Sequence, residues 1–234
     1  MLVPLSWLND YVDINVSADE LEKKLFDCGF EVEEKWQVGK DISGGKFPVA
    51  MIGAQVYATA KDHVTIEGVV TIKKGKLRGY ESYGMLCSGT ELGLNEDLYP
   101  GAGYNGLLVL PEDAEIGSDV KEITGLNDWI FDVSITANRP DCQSIFGLAR
   151  EVAAALGQPL KMPALDYTET EVEKPGFDVT VEAPDLCPRY IAHYVYDVKL
   201  AQSPAWMRRR LALVGNNSIS NIVDITNYIM RELG

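Results

Sequence analysis

The sequence predicts an α+β, multidomain protein: a small α/β domain split in sequence, an all-β insert between its halves, and a further unit running to the last residue. Three observations predict this. The first 38 residues hold one helix signal and one strand signal, too little to close a core, since chains below roughly 40 residues usually need staples or partners. Residues 128–159 hold a matching strand, turn and helix, so the two stretches complete each other. The stretch between them lacks helical periodicity and alternates strand-like runs with glycine-rich ones.

Taken in order, Ser17 and Glu20 form an S-x-x-E capping box, Leu21 and Leu25 recur at helical spacing, and Gly29 supplies a stop. This predicts a helix over about 18–28. In "FEVEEKW" (30–36) apolar and acidic residues alternate, the period of a half-exposed strand. Within the insert, "VTIEGVVTI" (64–72) and "GLLVL" (106–110) read as strands, while "GKLRGYESYG" and "PGAGYNG" suit turns and loops; a small barrel or barrel fragment is the natural class. After the apolar strand of "DWIFDVSITANRPDCQ" and its N-R-P-D turn, Ile145, Leu148, Ala149, Val152 and Leu156 form one helical stripe that Gly157 and Pro159 end.

"PLKMPALDYTETEVEKPG" lacks periodicity and reads as a linker. "FDVTVEAPDLCPRYIAHYVYDVKL" (177–200) predicts two alternating strands around a Pro-containing turn. Ser203 then caps a helix with Pro204 at its first position and Gly215 as its stop, and "ISNIVDITNYIMRELG" is a last, apolar, helix-like pattern. The predicted units are 1–38 with 127–160, the insert 39–126, a linker 161–176, and 177–234.

Composition excludes several classes of function. With 46% hydrophobic and 24% charged residues the chain is not generally disordered, and no run of 18 apolar residues offers a membrane span. "MLVPLSWLNDYVD" lacks the basic start and long apolar run of a signal peptide, so a cytoplasmic location is expected. Cys28, Cys87, Cys142 and Cys187 lie tens of residues apart without a C-x-x-C pair, as reduced, mostly buried thiols do. "GAGYNG" (101–106) matches G-x-G-x-x-G, but a strand follows it where the dinucleotide fingerprint needs a helix. His63 and His193 stand apart without a convergent partner, which predicts packed or surface histidines and no metal site. "RRR" (208–210) fans around a helix axis, most simply as a solvated face, with an RNA or carboxylate contact as the other reading.

A net charge of −14 argues against non-specific coating of nucleic acid, yet Lys73, Lys74, Lys76 and Arg78 fall within six positions beside Tyr80 and Tyr83. Phosphate-binding charge adjoins stacking surface there, and both nucleic-acid contact and a solvated turn fit the residues.

"LSWLNDYVDINVSADELEKKLFDCGFEVEE", "KKGKLRGYESYGMLCSGTELGL", "SITANRPDCQSIFGLAREVAAALG" and "NIVDITNYIMRELG" together resemble, in order, the β subunit of bacterial phenylalanyl-tRNA synthetase. The resemblance spans nearly the whole chain. It implies that 39–126 is a tRNA-binding OB-fold, that Lys73, Lys74, Lys76 and Arg78 face tRNA, and that 177–234 begins a B3/B4 editing domain. It also implies that Thr226 and Asn227 belong to a pocket hydrolysing Tyr-tRNA(Phe). Aminoacylation, with ATP and Mg2+, is implied for the α subunit of an α2β2 assembly, so this segment is expected to bind no cofactor. The implied partners are tRNA(Phe) and the α subunit, with no membrane and no DNA. Two departures stand out. From Gly44 the chain passes directly to "GKFPVAMIGA", leaving out the family's first OB-fold strands with their H-P-x-A-D-x-L motif, and the family's H-A-F-D segment with the editing histidine would fall after Gly234. Also, "GNNSISN" (215–221) stands where the family has an arginine and a paired asparagine. The segment alone is therefore expected to be inactive in both reactions, and a non-catalytic tRNA-binding or scaffolding module is the alternative.

Overall fold

The computed structural model describes residues 1–39, 42–43, 49–52, 55–61, 65–66, 70–94, 106–163, 165–168 and 178–234. Helix and sheet are mixed throughout. A three-stranded antiparallel sheet joins β1 (Leu2–Pro4), β2 (Glu31–Gln37) and β11 (Trp129–Ser134) in the order β1-β11-β2. The late strand sits in the middle, with Phe131 facing Val3 on one side and Lys35 on the other. Flanked by a strand on each edge, β11 buries Ile130, Phe131 and Val133, whereas the edge strand β2 leaves Glu31, Glu33 and Glu34 exposed. The register between β2 and β11 shifts past Glu33, and such a charged irregularity on an edge discourages pairing with a second chain.

Helices close this sheet. The short α1 (Leu5–Leu8) follows Pro4, which offers no side-chain cap; the Asp128 carboxylate instead accepts from the Ser6 backbone N at 3.0 Å and from the Ser6 hydroxyl at 2.5 Å. Burial raises the Asp128 pKa, partly offset by the donors of Ser6 and Trp129. In α2 (Ala18–Asp27) the Ser17 hydroxyl accepts from Glu20 N at 3.2 Å and Leu21 and Leu25 are buried, as the capping box and spacing predict. In α4 (Ile145–Leu156) Ser144 caps Gly147 N at 3.1 Å, and Ile145, Leu148, Ala149 and Val152 face inward. One hydrophobic core takes Val3, Trp7, Leu21 and Leu25 from the first stretch and Phe131, Ile145, Leu148 and Val152 from the second. Helices α5 (Ala205–Leu213) and α6 (Asn221–Leu233) add Met207, Leu211 and Tyr228 to the same core.

The N-R-P-D turn is a 3-10 turn over Pro140–Cys142, held by a guanidinium. Arg139 donates to Asp141 at 2.9 Å and Glu151 at 2.7 Å while lying over the Phe30 ring at 5.3 Å. It lowers the Asp141 pKa to about 2.

The middle of the chain holds β3 (Ile42–Ser43), β4 (Val49–Ile52), β5 (Gln55–Lys61), β6 (Thr65–Ile66), β7 (Val70–Thr71), β8 (Gly75–Leu77), β9 (Tyr80–Ser82) and β10 (Gly84–Leu86), followed by α3 (Val120–Thr124). They form antiparallel sheets β10-β5-β4 and β3-β6-β7 and the hairpin β8-β9. A second core of Ile72, Cys87, Leu92, Leu108, Leu110, Val120 and Leu126 lies among them.

Several expectations need correction. Within the stretch 64–72, Thr65–Ile66 and Val70–Thr71 are two short strands paired antiparallel with each other, Ile66 facing Val70, while 64 and 67–69 lie outside the described residues. "GLLVL" buries Leu108 and Leu110 and exposes Leu107 and Val109, but makes only an isolated bridge instead of a ladder. "GKLRGYESYG", expected as turns and loops, supplies the β8-β9 hairpin. Residues 178–200 form no strand and leave Tyr190, Ile191, Val195 and Leu200 exposed; alternation alone is insufficient when, among the described residues, no backbone partner lies alongside. Ser203 does not cap α5, which starts after Pro204, because its hydroxyl donates to Asp224.

Candidate functional site

The basic cluster lies on and beside the β8-β9 hairpin. Leu77 faces Tyr80, leaving Arg78 and Gly79 as a two-residue turn with φ of 51° and 88°. Both positive values match the twist of a tight hairpin, and a non-glycine residue there costs about 1–2 kcal/mol. The turn thus presents a cation at its tip. Lys73, Lys74, Lys76 and Arg78 are all exposed, Tyr80 is 81% exposed and Tyr83 53%. Lys74 pairs with Glu81 at 3.3 Å and lies 4.8 Å from the Tyr83 ring centre, and the Tyr83 hydroxyl donates to Glu81 at 2.5 Å. These two donors, the hydroxyl first, hold the Glu81 carboxyl below its ordinary range. Among the described residues no ion pair engages Lys73, Lys76 or Arg78. An exposed hairpin carrying these cations beside the open Tyr80 ring can take phosphates and a stacked base.

The second group of expected site residues is on α6. Thr226 is exposed and its hydroxyl donates back to the Val223 carbonyl at 2.7 Å. Asn227 is half-buried, and among the described residues no hydrogen bond engages its amide. A hydroxyl and an amide on adjacent positions can orient an ester and a water but cannot titrate near neutrality. The hairpin and α6 come from separate parts of the chain.

What holds α6 was missed in the sequence. Its buried residues are Asp224 and Tyr228. Asp224 is completely buried and accepts from the Ser203 hydroxyl at 2.5 Å, the Ser218 hydroxyl at 2.5 Å and Ile219 N at 2.8 Å. Burial pushes its pKa up, but those donors and the Ser220 backbone outweigh it and hold the carboxyl below its ordinary range. Tyr228 stacks on Trp7 at 4.8 Å, accepts from Arg210 at 2.8 Å and donates to Glu232 at 2.9 Å. Arg210 also pairs with Asp10 and lies 5.5 Å from the Trp7 ring and 5.8 Å from that of Trp206. An aspartate inside the apolar run I-V-D-I, one helical turn before a tyrosine, was the available signal.

The arginine run is no solvated face. Arg210 fills the aromatic box, Arg209 donates to the Ile123 carbonyl at 2.7 Å at the end of α3, and Arg208 is half-buried. His193 is exposed, its ring 6.3 Å from that of Tyr167, while His63 and residues 101–105 of the G-x-G-x-x-G match lie outside the described residues. Cys87 and Cys142 are buried, Cys28 is exposed and Cys187 intermediate, all as free thiols. Asp141, Cys142 and Glu151 could converge on a cation, but the Arg139 guanidinium already sits among them, 3.0 Å from the Cys142 sulfur. Burial first, then Asp141, pushes that thiol up to about 11, against the pull of Arg139. Among the described residues no helix is long and apolar enough to cross a membrane.

Comparison with known proteins defines the class and then the family. The family described as the B3/4 domain matches residues 186–234, so the segment carrying α5 and α6 is B3/4-like. The phenylalanine–tRNA ligase beta subunit of Clostridium tetani (strain Massachusetts / E88) is 40% identical over 268 aligned positions, covering all of this chain and 33% of the relative. The beta subunits of Syntrophus aciditrophicus (strain SB) and Fusobacterium nucleatum subsp. nucleatum are 38% and 39% identical, covering 100% and 99% of this chain and 32% and 33% of theirs. The chain belongs to the phenylalanine–tRNA ligase beta subunit family, and spans about a third of the length of the curated relatives it matches. The alignments are longer than its 234 residues, so the relatives carry residues that this chain lacks.

Proposed function

We propose that this chain is the tRNA-docking and editing-side portion of a cytoplasmic β subunit that works in an α2β2 phenylalanine–tRNA ligase. The observation that carries the editing part is the placement of Thr226 on the exposed side of α6, opposite the buried Asp224 and Tyr228, with Asn227 half-buried on the flank of the same helix. Residues 39–126 act as an OB-fold lacking its first strands, with Lys73, Lys74, Lys76 and Arg78 on the phosphates of tRNA(Phe). ATP and Mg2+ serve the α subunit, and nothing in this chain is needed to hold them.

Editing acts as a second sieve, because tyrosine differs from phenylalanine by one hydroxyl and a site that hydrogen-bonds that hydroxyl discriminates better than an apolar pocket can. A water attacks the ester carbonyl of Tyr-tRNA, the bond to the ribose oxygen breaks, and free tyrosine and the 3′-terminal hydroxyl result. Thr226 and Asn227 position the ester and the water; catalysis there is a matter of orientation.

The segment supplies one wall of such a pocket. Around Thr226 the helix exposes Ile222, Val223, Ile225, Ile229, Met230 and Leu233, an apolar face that suits cover by the further polypeptide present in the longer relatives. The bare segment is accordingly a binding and scaffolding module. In the full-length chain assembled with its partner subunit, Asn227→Ala slows Tyr-tRNA hydrolysis by about tenfold or more and leaves phenylalanine activation unchanged, while residues 1–234 alone do not hydrolyse Tyr-tRNA. Normal editing by the variant, or brisk hydrolysis by the segment, overturns the assignment.

A further inference from the structure

Helix α6 is turned against its own hydrophobic pattern. At 3.6 residues per turn, Asp224 and Tyr228 lie about 40° apart on the face that packs inward, with Arg231 beside them, while Thr226 lies about 160–200° away. The inward pair is a carboxylate and a phenol. Six large apolar residues, Ile222, Val223, Ile225, Ile229, Met230 and Leu233, are each between 38% and 49% exposed on the other side. Hydrophobic burial alone would rotate this helix the other way, so something specific opposes it.

That opposing element is the hydrogen-bonded cluster around Asp224. It gathers the residue before α5 (Ser203) and the loop between α5 and α6 (Ser218 and the Ile219 backbone) onto one fully buried carboxylate in the first turns of α6. Any substantial rotation of the helix would leave that carboxylate and its donors unpaired in a dry site, a penalty each buried polar group adds separately. Four residues later Tyr228 repeats the arrangement against Arg210 and Glu232. Asp224 itself stands too far round the helix to share a face with Thr226.

We propose that Asp224 is a positioning residue for the reaction carried by Thr226 and Asn227: it fixes the rotational phase of α6, and with it the direction in which those two side chains point. This rests on the editing reading. It assigns a role to a residue that touches no substrate and that the pattern of exposed and buried apolar residues would place elsewhere.

The test uses the full-length β chain assembled with its partner subunit. Asp224→Asn keeps the size of the side chain but brings an NH2 group against a cluster of donors. The expected result is a fall in kcat for Tyr-tRNA hydrolysis on the order of tenfold to a hundredfold, as for a misplacement near 1 Å, with KM within about twofold and phenylalanine-tRNA formation unchanged. Ser218→Ala, which removes one donor and leaves the carboxylate, lowers the same kcat by less and keeps the assembly intact should Asp224→Asn fail to assemble. Hydrolysis at the parental kcat in both variants, with Thr226→Ala and Asn227→Ala impaired, overturns the positioning role and leaves the editing reading standing. A rise in KM alone, or a parallel loss of hydrolysis and phenylalanine-tRNA formation in Ser218→Ala, also overturns it, because the residue then supports binding or bulk stability. Undiminished hydrolysis in Thr226→Ala and Asn227→Ala overturns the editing reading and this inference together.

Discussion

Gly147→Ala tests how tightly the N-R-P-D turn is seated on α4. In an open helix the change stabilises, by about 1 kcal/mol. Here a Cβ on Gly147 would stand 1.8 Å from the Asp141 carbonyl oxygen, 2.9 Å from its carbon and 3.0 Å from the Ser144 hydroxyl. To restore ordinary contact the oxygen must retreat by roughly 1.6 Å, judged against a 3.4 Å approach. The turn has little freedom to do so, since Arg139 ties Asp141 to Glu151, the Cys142 amide donates to the Arg139 carbonyl at 3.0 Å, and Cys142 is fully buried. Overpacking of this kind costs about 1–3 kcal/mol, and disturbing the Ser144 cap adds about 1 kcal/mol. Net of the propensity gain, the variant is expected to lose about 1–3 kcal/mol. Urea unfolding of the chain followed by far-UV circular dichroism measures it, with Gly157→Ala as comparison, where a Cβ meets nothing within 4 Å and only the positive φ of 63° opposes it. A Gly147→Ala chain as stable as the parent, or more stable, would refute the close seating of the turn.

Changing Lys73, Lys74, Lys76 and Arg78 together to Ala should flatten the salt dependence of tRNA binding by the full-length enzyme, by about 0.7–0.9 in log-log slope for each phosphate that is no longer neutralised; an unchanged slope means the hairpin is merely solvated. Asp224 makes a pH prediction. Its folded pKa lies below its unfolded value, so its stabilising contribution is fully present above the unfolded pKa, near 4, and is lost as pH falls through the folded one. Urea midpoints taken between pH 7 and 3 should therefore fall less steeply on acidification for Asp224→Asn than for the parent; equal slopes would show that the carboxylate is not ionised in its cluster.

Where a local signal and a tertiary demand coincide, the structure was legible in the sequence. Ser17 and Ser144 each offer a hydroxyl to the amide three residues on, and the apolar spacing of Leu21 and Leu25 or of Leu148 and Val152 points each helix face at the same core. Legibility fails where a side chain answers to a distant partner. Ser203 has the chemistry of a cap and precedes a proline, but the buried Asp224 carboxylate captures it from twenty-one residues away. The alternation of residues 178–200 describes a surface suited to a sheet, yet a strand is a property of two backbones, and alternation cannot supply the second. The facing of α6 was the hardest: its apolar side would have been taken for the buried one, and the deciding term is hydrogen bonding around Asp224, which no periodicity registers. The position of the hairpin cations could be read; that Lys74 is drawn into a Glu81–Tyr83 contact and its neighbours are not could not.

The middle place of β11 in its sheet bears on how the protein is made. Among the described residues neither β1 nor β2 has a neighbouring strand until residues 129–134 exist, Leu21 and Leu25 lack the α4 side of their core until that helix follows, and Trp7 lacks the Tyr228 ring until α6 follows. At about 5–20 residues per second on the ribosome, more than a hundred residues of intervening synthesis leave that apolar surface waiting for roughly 5–25 s, far longer than a helix or hairpin needs to form. Among the described residues of the intervening segment, β4 with β5, β6 with β7 and β8 with β9 pair between neighbours in sequence, contacts that can form while the outer halves wait. During this interval the nascent chain offers a hydrophobic target for chaperones, and a stall or truncation before Trp129 would strand its N-terminal segment without the strand that completes it.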